Sequence, residues 1–188
     1  DRNEASWVNE GFSELSSLIN GYDPGGFDTF YLLDPDLQLN DWPNDDKVTY
    51  IHYGSSFLFM AYFLDRMGEE ITQAVVGHPE NGLKSFDLVL ADAGVTDPLT
   101  GKPVRVDDLV LDWVLTNYLL DGRIGDGRFT YYTYEDADYA YETETVFDCD
   151  PGRRSRVVHQ YGVDYIKIAC SGEYVLEFQG SIHTTLLP

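Results

Sequence analysis

The chain has 188 residues, 43% of them apolar and 24% charged, the composition of a folded domain rather than a disordered one. Acidic residues outnumber basic ones 33 to 12, a formal net charge of −21, which argues against nucleic-acid binding and against docking on anionic lipid. The longest apolar run, residues 57–64, is far shorter than the roughly 18 residues of a membrane span and reads as core.

Taken in chain order, residues 6–20 predict a helix. Val8, Phe12, Leu15 and Ile19 recur at helical period, and Asn20-Gly21 is a stop signal. Residues 21–46 read as an irregular loop carrying Pro24, Gly25, Gly26, Pro35 and Pro43. A loop of that length inside a domain is often functional. Residues 49–67 are apolar nearly all round, which predicts a buried helix ending at Gly68. Short helices follow near 69–76 and 82–93, the second with Asn81 as N-cap and Gly94 as stop. Residues 106–120 predict another amphipathic helix, ended by Asp121-Gly122.

The pattern changes near residue 125. Residues 130–146, 156–158, 164–169, 174–178 and 182–187 read as strands separated by turn residues. The fold class expected is α+β, with a mainly helical part at 1–125 and a small antiparallel β-unit at 126–188. Cys149 and Cys170 both fall in that unit. They are able to pair if neighbouring strands bring them together, or to serve as two separate small core residues.

The stretch richest in chemistry is Trp7-Val8-Asn9-Glu10-Gly11-Phe12-Ser13-Glu14-Leu15. The spacing puts Glu10 and Glu14 on one helix side, where two like charges cost a few tenths of a kcal/mol by the general rule. Gly11 inside the helix costs about 1 kcal/mol more. A solvated helix face is the plain reading of the pair. A cation, or a metal-bound histidine, facing that side would be the functional one.

Trp-x-Asn-Glu-Gly-Phe-x-Glu resembles the third-ligand helix of the gluzincin zinc metallopeptidases, which include thermolysin-like and aminopeptidase N-like enzymes. The wider context is most similar to bacterial immune inhibitor A-like peptidases. In that group a His-Glu-x-x-His helix supplies two zinc ligands and the general base. The resemblance implies that Glu10 is the third zinc ligand and that Glu14 orients a histidine ligand. A second stretch, Tyr50-Ile51-His52-Tyr53-Gly54, is similar to the following helix of these peptidases, where a tyrosine or histidine donates a hydrogen bond to the oxyanion. Tyr53 and His52 are the candidates there, with Tyr50 third. Weaker similarity runs through 86–120 and the tail His159-Gln160-Tyr161-Gly162-Val163-Asp164-Tyr165.

The sequence departs from the family at one decisive point: it contains no His-Glu-x-x-His, and its four histidines are scattered. The polar opening running straight into the motif is what a piece of a longer protein would show. The expectation is therefore the C-terminal part of a zincin catalytic domain from a secreted, extracellular bacterial peptidase. Zinc is the expected cofactor of the intact protein and a peptide or protein the expected substrate. The N-terminal part of the same protein is the expected partner, and this fragment alone is expected to be inactive. The rival is a non-catalytic extracellular binding or adhesion module, in which Glu10 is a relic.

Two further features have bland readings that come first. The acidic stretch with Asp34, Asp36, Asn40, Asp41, Asn44, Asp45 and Asp46 is dense enough in oxygen to bind calcium, but reads first as a solvated loop. Residues 121–127 read first as turn chemistry, with calcium second. Tyr131, Tyr132, Tyr134, Tyr139 and Tyr141 read as strand residues before they read as a carbohydrate-stacking face.

Overall fold

A computed structural model describes residues 3–45, 47–148, 152–173 and 175–180. The first helix, α1 (Ser6–Ile19), buries Trp7, Val8, Gly11 and Leu15, the face its apolar spacing predicts. Its start is fixed by Glu4, whose carboxylate accepts the N–H groups of Ala5 (2.8 Å) and Gly82 (2.7 Å), tying it to the region before a later helix.

The stretch expected to be loop contains a short helix, α2 (Phe27–Leu33), which corrects the sequence reading. Its buried residues, Asp28, Tyr31 and Leu32, recur at three and four residues, a signal masked by the glycines and prolines around it. Gly25 and Gly26 both take positive φ and turn the chain into α2.

The centre of the molecule is α3 (Thr49–Val76), in which residues 57–63 are all buried. The predicted stop at Gly68 is real: that residue leaves helical geometry (φ 78°, ψ 172°) and divides α3 into two lengths. Helices α1 and α2 both pack along α3. Two glycines make these approaches close. A Cβ at Gly11 would meet Met60 Cγ at 2.8 Å and the Ser56 carbonyl oxygen at 2.9 Å. A Cβ at Gly54 would come within 2.1 Å of the Phe27 carbonyl oxygen.

Helices α4 (Leu83–Asp92) and α5 (Val106–Leu119) close the helical layer. Gly82 rather than Asn81 occupies the N-cap of α4. Phe86 of α4 and Trp113 of α5 are fully buried. Phe86 stacks with Trp7 at 5.9 Å, and Trp113 with Tyr31 at 5.4 Å, so one aromatic core joins α1, α2, α4 and α5 around α3.

The strands after residue 125 are much shorter than predicted. Among the described residues they are β1 (Glu144–Val146) and β2 (Ile166–Ile168), and they pair parallel rather than antiparallel. Parallel pairing needs a connection of roughly a dozen residues or more, which 147–165 supplies. Residues 130–143 are irregular. Their backbone is fixed by the helical layer: the Asp65 carboxylate accepts the N–H groups of Tyr132 and Thr133, and the Asn117 and Leu32 backbone carbonyls accept those of Ala140 and Tyr141. Residues 156–158 and 175–178 form no strand, and Val157, Val175 and Phe178 are 84%, 88% and 92% exposed. Among the described residues no second sheet covers them, and their strand propensity is not realised. The strand predicted at 182–187 and Cys149 lie outside the described residues. Cys170 is disulfide-bonded. The fold is α+β in the broad sense, and no helix among the described residues is long and apolar enough to cross a membrane.

Candidate functional site

Glu10 and Glu14 project from α1 beside its buried face, and both are half-buried. Neither carboxylate takes part in a hydrogen bond or ion pair with any described residue. Burial, then the charge of Glu10, pushes the Glu14 carboxyl above the usual carboxylate range. An unpaired, half-buried acid pair is electrostatically unfavourable as it stands, and a cation or protonated group facing it would relieve the repulsion.

Gly11, between the two acids, explains how α1 is placed. Its missing side chain lets α1 ride directly on the α3 backbone at Ser56. His52 and Tyr53 lie about one helical turn before that contact. The structure therefore stacks the two helices that carry the resemblance. No hydrogen bond among the described residues joins Glu10 or Glu14 to His52 or Tyr53.

His52 is half-buried, with Trp42 edge-on at 6.0 Å. Its Nδ1 is buried and has no hydrogen-bond partner. Burial pulls the imidazole below its ordinary range, against the opposing pull of Asp41, which favours the neutral form. A neutral imidazole with an unengaged nitrogen is able to donate or accept one hydrogen bond. Tyr53 lies between Phe27 (5.6 Å) and Trp42 (5.0 Å). Tyr50, the third candidate, meets Phe30 edge-on at 4.9 Å.

Asp46 of the acidic loop lies outside the described residues, and two of the loop's other carboxylates are engaged with backbone. Asp36 accepts the backbone N–H of His159 (2.8 Å), and Asp45 accepts that of Lys47 (3.0 Å). Among the described residues no group of three or more His, Cys, Asp or Glu side chains is arranged to hold a metal ion. Glu10 fits one ligand position of a zinc site, being half-buried and unengaged. It supplies one carboxylate where three protein ligands are needed.

Residues 121–128 form an ion-pair hub that sequence reasoning missed. Arg128, only 7% exposed, meets Asp97 (2.7 Å), Asp112 (2.8 Å) and Asp126 (2.8 Å), and Arg66 meets Asp126 (3.0 Å). The Arg128 guanidinium holds the Asp97 and Asp126 carboxyls down to about 2. Asp112 goes the other way, because its burial outweighs the pull of Arg128. The Asp-x-Arg spacings 121/123 and 126/128 were the available signal. Both aspartates are paired with the arginine two residues on.

Of the five tyrosines, Tyr131 is buried and accepts the Trp113 Nε1–H (2.9 Å), while Tyr134 donates to buried Asp28 (2.9 Å). Tyr132, Tyr139 and Tyr141 are exposed. Comparison with protein-family models, with curated proteins and with solved structures gave no match.

Proposed function

We propose that α1 is the third-ligand helix of a gluzincin-type zinc peptidase site and that the chain is the C-terminal part of such an enzyme, secreted by a bacterium. The observation that carries the reading is the acid pair itself. Glu10 and Glu14 are half-buried and without partners among the described residues, on a helix seated on α3 through Gly11. A cation or a metal-bound histidine facing that side would relieve the repulsion between them.

In this reading Glu10 is one zinc ligand, and Glu14 accepts the outer N–H of a histidine ligand and so fixes its ring. Both histidines and the general base belong to a segment outside this sequence. Zinc, when held, supplies a polarised water and a Lewis acid for attack on a peptide carbonyl. His52 or Tyr53 offers the hydrogen bond that steadies the oxyanion. Calcium has no support from the acidic loop beyond its composition.

The test is zinc content and peptide hydrolysis of the longest form of the protein that its source makes. One zinc per chain, lost in Glu10→Ala and bound about 10–100-fold more weakly in Glu14→Ala, supports the reading. A natural form that binds no zinc gives the chain to the rival reading, an extracellular binding module.

A further inference from the structure

Residues 153–156 read Arg153-Arg154-Ser155-Arg156, three of the twelve basic residues of a chain with net charge −21. They lie within a run, 152–160, in which every residue is exposed and residues 152–159 have no helix, strand or turn. From 152 to 158 no backbone N–H or C=O makes a backbone hydrogen bond with another described residue. Endopeptidases bind substrate as an added strand, so an exposed backbone without backbone pairing is the form they need. The hydrogen bond at Ser155 is a side-chain one, its carbonyl accepting from Arg156 Nη1 at 2.8 Å.

We propose that the Arg154–Ser155 bond is a site of limited proteolysis for an arginine-directed endopeptidase, and that the cut chain stays together. The step is a hydrolysis. Water adds across the Arg154 C–Ser155 N bond, leaving a carboxylate on Arg154 and an ammonium on Ser155. An acidic primary pocket takes the Arg154 guanidinium, the role an aspartate plays in trypsin, in exchange for its hydrogen bond to the Asp148 carbonyl at 2.9 Å. Small Ser155 follows the cut.

The neighbours are worse placed. Arg156 is clamped by Glu144 through three contacts of 2.6–2.8 Å. Arg153 is followed by another bulky arginine. Elsewhere Arg66 and Lys84 are inside helices and Lys167 inside β2. Lys102 precedes a proline, and Arg123 sits in a hydrogen-bonded turn with its guanidinium on Asp121.

The piece beginning at Ser155 keeps several anchors on the rest. Ile166–Ile168 stays paired with Glu144–Val146. The His159 N–H reaches Asp36, and the Tyr161 hydroxyl donates to Asp107 at 3.0 Å. Cys170 is disulfide-bonded, and Cys149, upstream of the cut, is the other cysteine of the sequence.

The experiment is brief digestion of the whole chain with a low ratio of trypsin, followed by intact mass and gel filtration. The expected first products are 1–154 and 155–188, co-eluting at the position of the uncut chain. The product beginning at Ser155 is expected to vanish in Arg154→Gln. A first cut at any other bond, Arg153 and Arg156 included, overturns the site. Release of 155–188 before reduction overturns the two-chain product.

Discussion

Gly11 of α1 lies against the Ser56 carbonyl of α3, so close that a Cβ there would stand 2.9 Å from that oxygen and 2.8 Å from Met60 Cγ. On an exposed helix Gly→Ala gains about 1 kcal/mol from propensity. Here the crowding reverses the sign. Gly11→Ala is expected to cost about 1–3 kcal/mol net, the usual range for overpacking. Gly54→Ala is expected to cost more, because its Cβ would meet the Phe27 carbonyl, a backbone atom, at 2.1 Å. Urea unfolding of both variants checks the order. A Gly11→Ala chain as stable as the parent would mean that α1 does not sit on α3 in this way.

Glu14 gives a pH prediction of opposite sign to that of an ordinary paired acid. Its carboxyl is raised in the folded chain by burial and by Glu10. The folded state therefore holds the proton more tightly than the unfolded state, and stability falls as pH rises from the ordinary glutamate range through the raised value. Glu14→Gln removes that loss. The variant is expected to melt higher than the parent at pH 7, by a few tenths of a kcal/mol, the scale of a like-charge i, i+4 pair. The difference should shrink as pH falls below the ordinary glutamate range. Zinc bound by the intact protein would invert the result at pH 7, since Glu14 would then have a partner. Thermal melts with and without a chelator separate the two.

Tyr131 links the segment after residue 125 to the helices. Its hydroxyl accepts the Trp113 Nε1–H at 2.9 Å and donates to Asn117 Oδ1 at 2.5 Å, all three groups being buried. Tyr131→Phe leaves the indole N–H without its acceptor and the amide oxygen without its donor. The expected cost is about 1–3 kcal/mol per orphaned group, and less if water enters. Tryptophan fluorescence reports the change directly. A neutral Tyr131→Phe would mean that residues 130–143 are not fastened to α5 through this contact.

The helices were legible because apolar periodicity and their stop residues agreed. Phe12 and Leu15, Gly68, Gly94 and Asp121-Gly122 all mark what the structure contains or where it turns. The buried stretch 57–63 was legible from hydrophobicity alone. The strands after 125 were not, because tyrosine and threonine favour a strand only where a neighbouring strand and a covered face exist. Tyr131, Tyr134 and Tyr165 spend their hydroxyls on Asn117, Asp28 and the Val114 carbonyl instead. Helix α2 was hidden by its length, one and a half to two turns between glycines and Asp34-Pro35. Of the candidate site, the shared side of Glu10 and Glu14 was readable from spacing. The reason for Gly11 was not, since a close approach between helices leaves no periodic trace in either sequence.

Arg128 sits at the centre of a cluster of three aspartates. One guanidinium, 7% exposed, satisfies Asp97, Asp112 and Asp126. Arg128→Met would leave those carboxylates facing one another with Arg66 held on Asp126, and the variant is expected to be less stable than the parent because their mutual repulsion is no longer offset. Asp112→Asn added to Arg128→Met should recover part of that stability, because it removes one of the three repelling charges. The acid limb follows from the same contacts. Asp97 and Asp126 are depressed from 3.8 to about 2 in the folded chain. The stability they contribute is present above about pH 4 and is lost as pH falls toward 2. The parent is expected to lose stability steeply in that window, and Arg128→Met much less so. Equal acid slopes for the two chains would mean that the carboxylates are not held by Arg128.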